Sequence, residues 1–339
     1  MNADLLTSVT RIAPFESASW DVTAVPRTEW HTGDYVLARV NQRPSPDTRV
    51  ENRYGRRVEL MEGETLVGAL GTRRATLDKV GGWQDVRENK RMQVLTLGGV
   101  LGRITSASPF SHSPIELDYV GHVTIDDTVA RMSDFGLPRD PPTEDIPVVL
   151  VLGTSMSSGK TMSGRVLTRV LVDLGYEVAA CKLTGAGAYK DVLSLDVSGA
   201  AYVYDFVDAG LPTTVVDEGT FREAIQSVLH AVEGADVMVA EIGASPLEQY
   251  NGDVIVTLLE SQVVFTILCA SDPYAVVGLE TAFGRSPDLV AGIATNTSAG
   301  IDLVEQLTDC RALNLHEERA KEPLARLLED AMQESDLGE

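Results

Sequence analysis

Residues 146–171 read IPVVLVLGTSMSSGKTMSGRVLTRVL, and the fold turns on this stretch. Val148 to Leu152 form an unbroken apolar run of strand length, as a strand buried on both faces requires. The turn after it ends in Gly159-Lys160-Thr161, and helical spacing follows. Strand, glycine-rich loop and helix N-terminus in that order make a cradle for phosphate. Loop N–H groups and the positive end of the helix dipole converge there on one anion. The candidate cradle residues are Gly153, Thr154, Ser155, Ser157, Ser158, Gly159, Lys160 and Thr161. Lys160 is placed to reach the terminal phosphates and the Thr161 hydroxyl to hold Mg²⁺. The spacing departs from the usual pattern, with five residues rather than four between Gly153 and Gly159. The competing reading is an ordinary strand-to-helix turn; the buried-strand run before the tripeptide and the helix after it argue against that.

Downstream, strands and helices alternate. GYEVAACKL (175–183), DVMVAEIG (236–243), VVFTILCA (263–270) and LVAGIATN (289–296) read as strands, VVDEG (215–219) as a short strand or a loop, and LNL (313–315) as a candidate last short strand. FREAIQSVLHAVEGA (221–235), GIDLVEQLTD (300–309) and EPLARLLEDAMQES (322–335) carry helical periodicity. Near-continuous apolar strands separated by helices predict an α/β fold, a parallel sheet with helices on both faces. Ligands of such sheets sit at the carboxyl ends of the strands.

That rule singles out residues at or just after the strand ends. Lys182 ends one strand, where a second phosphate or a substrate carboxylate is the expected contact and a snorkelling surface lysine the bland one. Asp191 and Asp196 follow, each a metal ligand or a helix cap. Glu241 ends DVMVAEI, the usual place for an Mg²⁺ carboxylate or a water-orienting group; the alternative is a buried ion pair. Asn296 offers its amide to a nucleobase edge, or is a turn residue. The five histidines do not cluster, and no nucleophile is legible.

Ahead of the cradle, YVLARV (35–40), RRVEL (56–60), TLVGAL (65–70), MQVLTLGGVLGRI (92–104) and IELDYVGHVTI (115–125) read as short strands broken by Gly, Pro, Asn and Asp. They predict a small β-rich domain, barrel or sandwich. Arg73 and Arg74 form either an oxyanion-binding fork or a pair of solvated loop charges. GGVLGR (98–103) is a bulged strand or a loop approaching a ligand. Pro138, Pro141, Pro142 and Pro147 with interleaved acids mark a linker. The expected organisation is therefore a β domain over 1–140, a linker over 141–147 and a phosphate-loop domain over 148–339.

The chain has 339 residues and a net charge of −22, which argues against nucleic acid as partner. Residues 1–145 hold 17 basic against 21 acidic side chains and the remainder 11 against 29. A surface this acidic and poor in lysine suits a high-salt cytoplasm, or simply a soluble protein kept monodisperse by its charge. No apolar run approaches the roughly 20 residues that span a bilayer. The first twenty residues lack the pattern of a signal peptide. Cys181, Cys269 and Cys310 show neither disulfide nor metal-site spacing, so a reducing, cytoplasmic compartment is expected.

GTSMSSGKT (153–161), Lys182, Glu241 in AEIGAS and Asn296 together resemble dethiobiotin synthetase, a member of the SIMIBI class of P-loop proteins. KLTGAGAYKDV (182–192) and VYDFVDAGLPTT (203–214) are similar to a two-domain P-loop group that includes proteins assigned as D-amino-acid N-acetyltransferases. The likeness covers about residues 146–316. It departs in the β-rich domain placed in front, and in Ser155, Ser157 and Ser158, where dethiobiotin synthetase carries acids. The resemblance implies ATP and Mg²⁺ as cofactors. Lys160, Lys182 and Glu241 would be catalytic, Asn296 would read adenine, and Thr161, Glu241 and Asp191 would hold the metal. Three activities follow: phosphoryl transfer to a small carboxylate- or amine-bearing metabolite, N-acylation from acyl-CoA held by the same loop, or a nucleotide-switched assembly factor or metallochaperone. A homodimer or higher homo-oligomer is a further expectation from the class.

Overall fold

A computed structural model describes residues 2–42, 44–45 and 48–336. Internal contacts divide the chain into two compact units, Met1–Arg139 with Gly185–Lys190 and Phe206–Val228, and Asp140–Thr184 with Asp191–Asp205 and Leu229–Glu339. The division is not linear. Two segments that follow the phosphate loop belong to the first unit, whereas the sequence suggests a single crossing at 141–147. Glu51 shows what ties one of them in: its carboxylate accepts the N–H groups of Tyr189 at 2.6 Å and Lys190 at 3.1 Å.

The second unit is built on a seven-stranded sheet. Its order is Tyr202–Asp205, Val178–Lys182, Val237–Glu241, Val148–Gly153, Val263–Cys269, Leu289–Ala291, Arg311–Ala312, and all pairings are parallel. Val149, Val151 and Ile267 pack on one face against Leu167 and Leu171 of helix Lys160–Asp173 and Leu324 and Leu328 of the C-terminal helix Lys321–Asp336. On the other face Leu150, Leu152 and Leu268 line a cavity of about 410 Å³ with Val256, Leu279 and Phe283, from helices Gly252–Leu258 and Pro273–Phe283. The α/β sheet with helices on both faces is thus present. Burying alternate residues on opposite faces is why Val148–Gly153 has no polar side.

Some element readings shift. Of the two alternatives for 215–219, residues 215–217 take the loop; Asp217 accepts the Thr220 N–H at 3.0 Å, and a helix runs Glu218–Ala231, starting within that stretch. The edge strand is Tyr202–Asp205, half-buried and therefore without a full apolar run. The last short strand is Arg311–Ala312 rather than 313–315.

The β-rich first unit contains a closed barrel. Thr65–Leu70 pairs with Tyr35–Val40, which pairs with Glu116–Ile125, then Arg91–Val94, then Val100–Ala107, which returns to Thr65–Leu70 through Val100↔Ala69. That last pairing is parallel and closes the ring. Alternation delivers Val36, Ala38, Val40, Leu66, Leu70, Met92 and Leu117 to the interior. Gly68 keeps the alternation but has no room for a side chain: a Cβ there would lie 2.4 Å from the Gly99 carbonyl oxygen. Residues 92–104, read as one strand, are two. They turn at Gly98 and Gly99, the latter at φ +95°, so GGVLGR is a turn and the start of the next strand rather than a bulge within one strand.

Beneath the barrel's Trp30, Asp34 is buried and accepts from Arg131 Nε at 2.6 Å and from the His31 N–H at 2.7 Å. His122 Nε2 lies 3.3 Å from Asp34, and its Nδ1 lies 2.6 Å from the Tyr119 hydroxyl. Burial alone would raise the Asp34 carboxyl, but His122, Arg131 and the His31 amide hold it below its ordinary value.

Candidate phosphate-binding site

The loop between Gly153 and Lys160 passes twice through the left-handed region, freely at a glycine and at a steric cost at a serine. Ser157 sits at φ +62° and Gly159 at φ +108°, both in the left-handed region. Gly159 is the N-cap of helix Lys160–Asp173, with no side chain capping the first turn. The first-turn N–H groups therefore keep their capacity for an anion. Gly153 permits a close approach: a Cβ there would lie 2.7 Å from Lys160 Nζ and from Ser158 Oγ. Lys160 is folded back over the loop, its ammonium donating to the Ser155 carbonyl at 2.7 Å. Burial pushes that ammonium below its ordinary value, with Glu241 and Cys269 opposing. Ser158 Oγ is buried and has no hydrogen-bond partner among the described residues.

Thr154 is braced from the neighbouring strand's exit. Its hydroxyl accepts the Ser271 N–H at 3.1 Å and lies 3.4 Å from Ser271 Oγ. Thr161, one residue inside the helix, donates its hydroxyl hydrogen to Glu241 Oε1 at 3.2 Å. Glu241 is only 2% exposed, and its Oε2 has no partner among the described residues. Burial raises the Glu241 carboxyl, Lys182 and Lys160 pull it back, and Asp191 adds to the rise. Lys182 is aligned with Glu241 on the adjacent strand and ion-paired with Asp191. Burial would lower its ammonium, but Asp191, Glu241 and Asp205 outweigh that and hold it above its ordinary value.

The site residues expected from sequence thus fall into groups. Gly153 to Thr161, Glu241 and Lys182 converge at the carboxyl ends of three strands. Asp191, in the first turn of helix Tyr189–Asp196, is ion-paired with Lys182, and its charge is felt at Glu241. Asp196 closes that helix, its carbonyl accepting the Gly199 N–H at 3.0 Å. Asn296 is exposed, and its backbone carbonyl accepts from Asn314 Nδ2 at 3.2 Å. The contact that strand 289–291 makes with the loop lies earlier. Gly292, at φ +85°, runs against Ser158, whose carbonyl accepts the Ile293 N–H at 3.2 Å. Gly292 was not singled out in the sequence; a glycine directly after an apolar strand was the available signal.

The donors fit a hard divalent cation. A hydroxyl and a buried carboxylate oxygen without a partner, beside a cradle for phosphate, are the oxygen ligands Mg²⁺ takes. Among the described residues there is no cluster of three His, Cys, Asp or Glu side chains suited to hold a metal. No described helix is long and apolar enough to cross a membrane.

No protein-family model matches the chain, and no curated protein does. Loose likenesses to solved structures include chloroplast FtsY from Physcomitrella patens, at 13% identity over 59% of this chain and 70% of that one, TM-score 0.36. A ParA family ATPase from Chlorobium tepidum TLS shares 12% identity over 53% of this chain and 88% of its own, TM-score 0.30. The signal recognition particle 54 kDa protein from Aeropyrum pernix K1, solved in complex with GDP, shares 18% over 58% and 51%, TM-score 0.31. Overlap this loose does not assign a relative. The P-loop α/β fold rests instead on the strand, loop, helix and sheet order of the chain itself.

Proposed function

We propose that this chain is a nucleotide-dependent enzyme that binds ATP with Mg²⁺ and activates a small carboxylate- or amine-bearing metabolite by phosphoryl transfer. The observation that carries the reading is the Thr161–Glu241 pair at the mouth of the loop, with the second Glu241 oxygen left without a partner. Thr161 and Glu241 would hold the metal, which supplies charge neutralisation between the phosphates when bound. Loop amides and the Lys160 ammonium would grip the terminal phosphate, the lysine exchanging its Ser155 carbonyl for phosphate oxygens. Lys182, held cationic by Asp191, would orient the acceptor's carboxylate. Catalysis would rest on positioning and charge stabilisation. Adenine is preferred because the chain lacks an Asn-Lys-x-Asp guanine signature.

A second reading draws on the raised Glu241 carboxyl. A buried carboxylate whose pKa lies above its usual range is a better base for an ammonium group than an ordinary one. On that reading the loop holds the phosphates of an acyl-CoA, Glu241 takes the proton of an amino acceptor, and Lys182 binds the acceptor's carboxylate. Calorimetric titration of the full chain with ATP–Mg²⁺, GTP–Mg²⁺ and acetyl-CoA separates the two. ATP binding that requires Mg²⁺ and vanishes in Lys160→Ala supports phosphoryl transfer; acetyl-CoA binding alone overturns it in favour of acyl transfer.

A further inference from the structure

Arg73, one of the paired arginines of the β-rich unit, takes no part in the phosphate loop. It lines a cavity of about 290 Å³ within that unit, together with Arg49, Arg57, Lys79, His112 and Asp78. Four cationic side chains against one carboxylate is a local excess of positive charge in a chain whose net charge is −22. Such a grouping sets up a local positive field that favours a ligand of opposite charge.

The existing partners leave capacity over. Asp78 is engaged by Arg73 Nη2 and by the Ser111 hydroxyl. Arg49 is shared with Glu59, which does not line the cavity, at 2.7 Å. Arg73 also donates Nη1 to the Leu95 carbonyl at 2.8 Å, so its guanidinium is fixed, while its buried Nε has no acceptor among the described residues. Arg57 and Lys79 have no ion-pair partner among the described residues. Burial pushes the Lys79 ammonium below its ordinary value, with Asp78 opposing and Arg73 adding to the fall. A bound anion would relieve that desolvated charge. The walls between the cations are the strand residue Val94 and Ile115, both buried, which limits competing water.

We infer that this cavity is a binding site for a small, multiply charged oxyanion, a phosphate- or carboxylate-bearing metabolite held by Arg57, Lys79 and the fixed guanidinium of Arg73. The site is separate from the phosphate loop and does not depend on the function proposed for it. Arginine forks accept oxyanion oxygens pairwise, and the lysine adds a point charge beside them.

The test is calorimetric titration of the full-length Lys160→Ala protein, in which the loop's lysine is absent, with pyrophosphate and with citrate at matched ionic strength. Saturable binding of either probe is expected, weakened roughly tenfold or more by adding Arg57→Gln or, separately, Lys79→Gln. Both side chains lie at the cavity and outside the barrel core, so two independent variants guard against misfolding of one. Stronger pyrophosphate binding marks the native ligand as a phosphate ester and stronger citrate binding as a polycarboxylate. Failure of both probes to bind Lys160→Ala, or binding that neither second substitution weakens, overturns the inference.

Discussion

The Thr161 hydroxyl donates to Glu241 Oε1 at 3.2 Å, joining the first turn of the loop helix to the end of a strand 80 residues further along the chain. This bond connects two features of the cradle that sequence presents separately. It also places a carboxylate where a cation neutralising bound phosphate would be held.

Lys160→Ala removes the only cationic side chain of the loop. A charge-assisted contact of about 1.5–3 kcal/mol corresponds to roughly a 10- to 100-fold weaker nucleotide affinity. Because Lys160 is buried with its charge disfavoured, the fold itself should not lose stability. Calorimetry and a thermal melt on the same sample read both; tight nucleotide binding by the variant would exclude the cradle.

Glu241→Gln keeps the shape and the bond from Thr161 but removes the charge. Metal-free nucleotide binding should persist while its enhancement by Mg²⁺ is lost. The variant should also change the dependence of stability on pH. A carboxyl raised by folding binds its proton more tightly in the native than in the unfolded state. Its contribution is complete below the ordinary value of 4.5 and is lost as pH rises toward the raised one. Denaturant midpoints of wild type minus variant should therefore fall with rising pH above about 4.5. A flat difference would show that Glu241 is not held in the state described.

Gly292→Ala places a Cβ 2.2 Å from the Ser158 carbonyl oxygen, at a residue whose φ is +85°. Backbone strain and displacement of the loop should cost about 1–3 kcal/mol and weaken nucleotide binding together. Loss of stability with unchanged affinity would separate Gly292 from the cradle.

Asp34→Asn breaks a buried network that involves Arg131 and His122, an expected cost of about 3 kcal/mol. The carboxyl is depressed by folding, so its stabilisation is present above the ordinary value of 3.8 and lost as pH falls through the depressed one. Acid unfolding of wild type should carry this step and the variant should lack it. Nucleotide affinity should be unchanged, which urea titration with and without ligand checks.

The cradle was legible because its requirements are local. Val148–Gly153 announces a strand buried on both faces, and the positive φ of Gly159 needs a residue without a side chain. Glu241 and Lys182 were legible for a related reason: a charged residue that ends an apolar run cannot lie at the strand's carboxyl end without a partner. Tyr202–Asp205 escaped notice because a half-buried edge strand shows neither a full apolar run nor a clean alternation. Helix Glu218–Ala231 begins three residues before the periodic stretch 221–235 and ends four residues before that stretch does, its start being set by Asp217 rather than by periodicity.

Local patterning in the amino-acid sequence is thus enough to specify the strand–loop–helix, most of the strands and helices and the candidate residues at their ends. It is not enough to specify which strands are neighbours. The ring closed by Val100↔Ala69, the pairing of Asp191 with Lys182, the approach of Gly292 to Ser158 and the gathering of Arg49, Arg57, Arg73 and Lys79 all depend on folding. Each joins positions through backbone pairing or charge, neither of which imposes a repeat along the chain. Hydrophobic periodicity reports the face a residue turns inward, and leaves open what that face will meet.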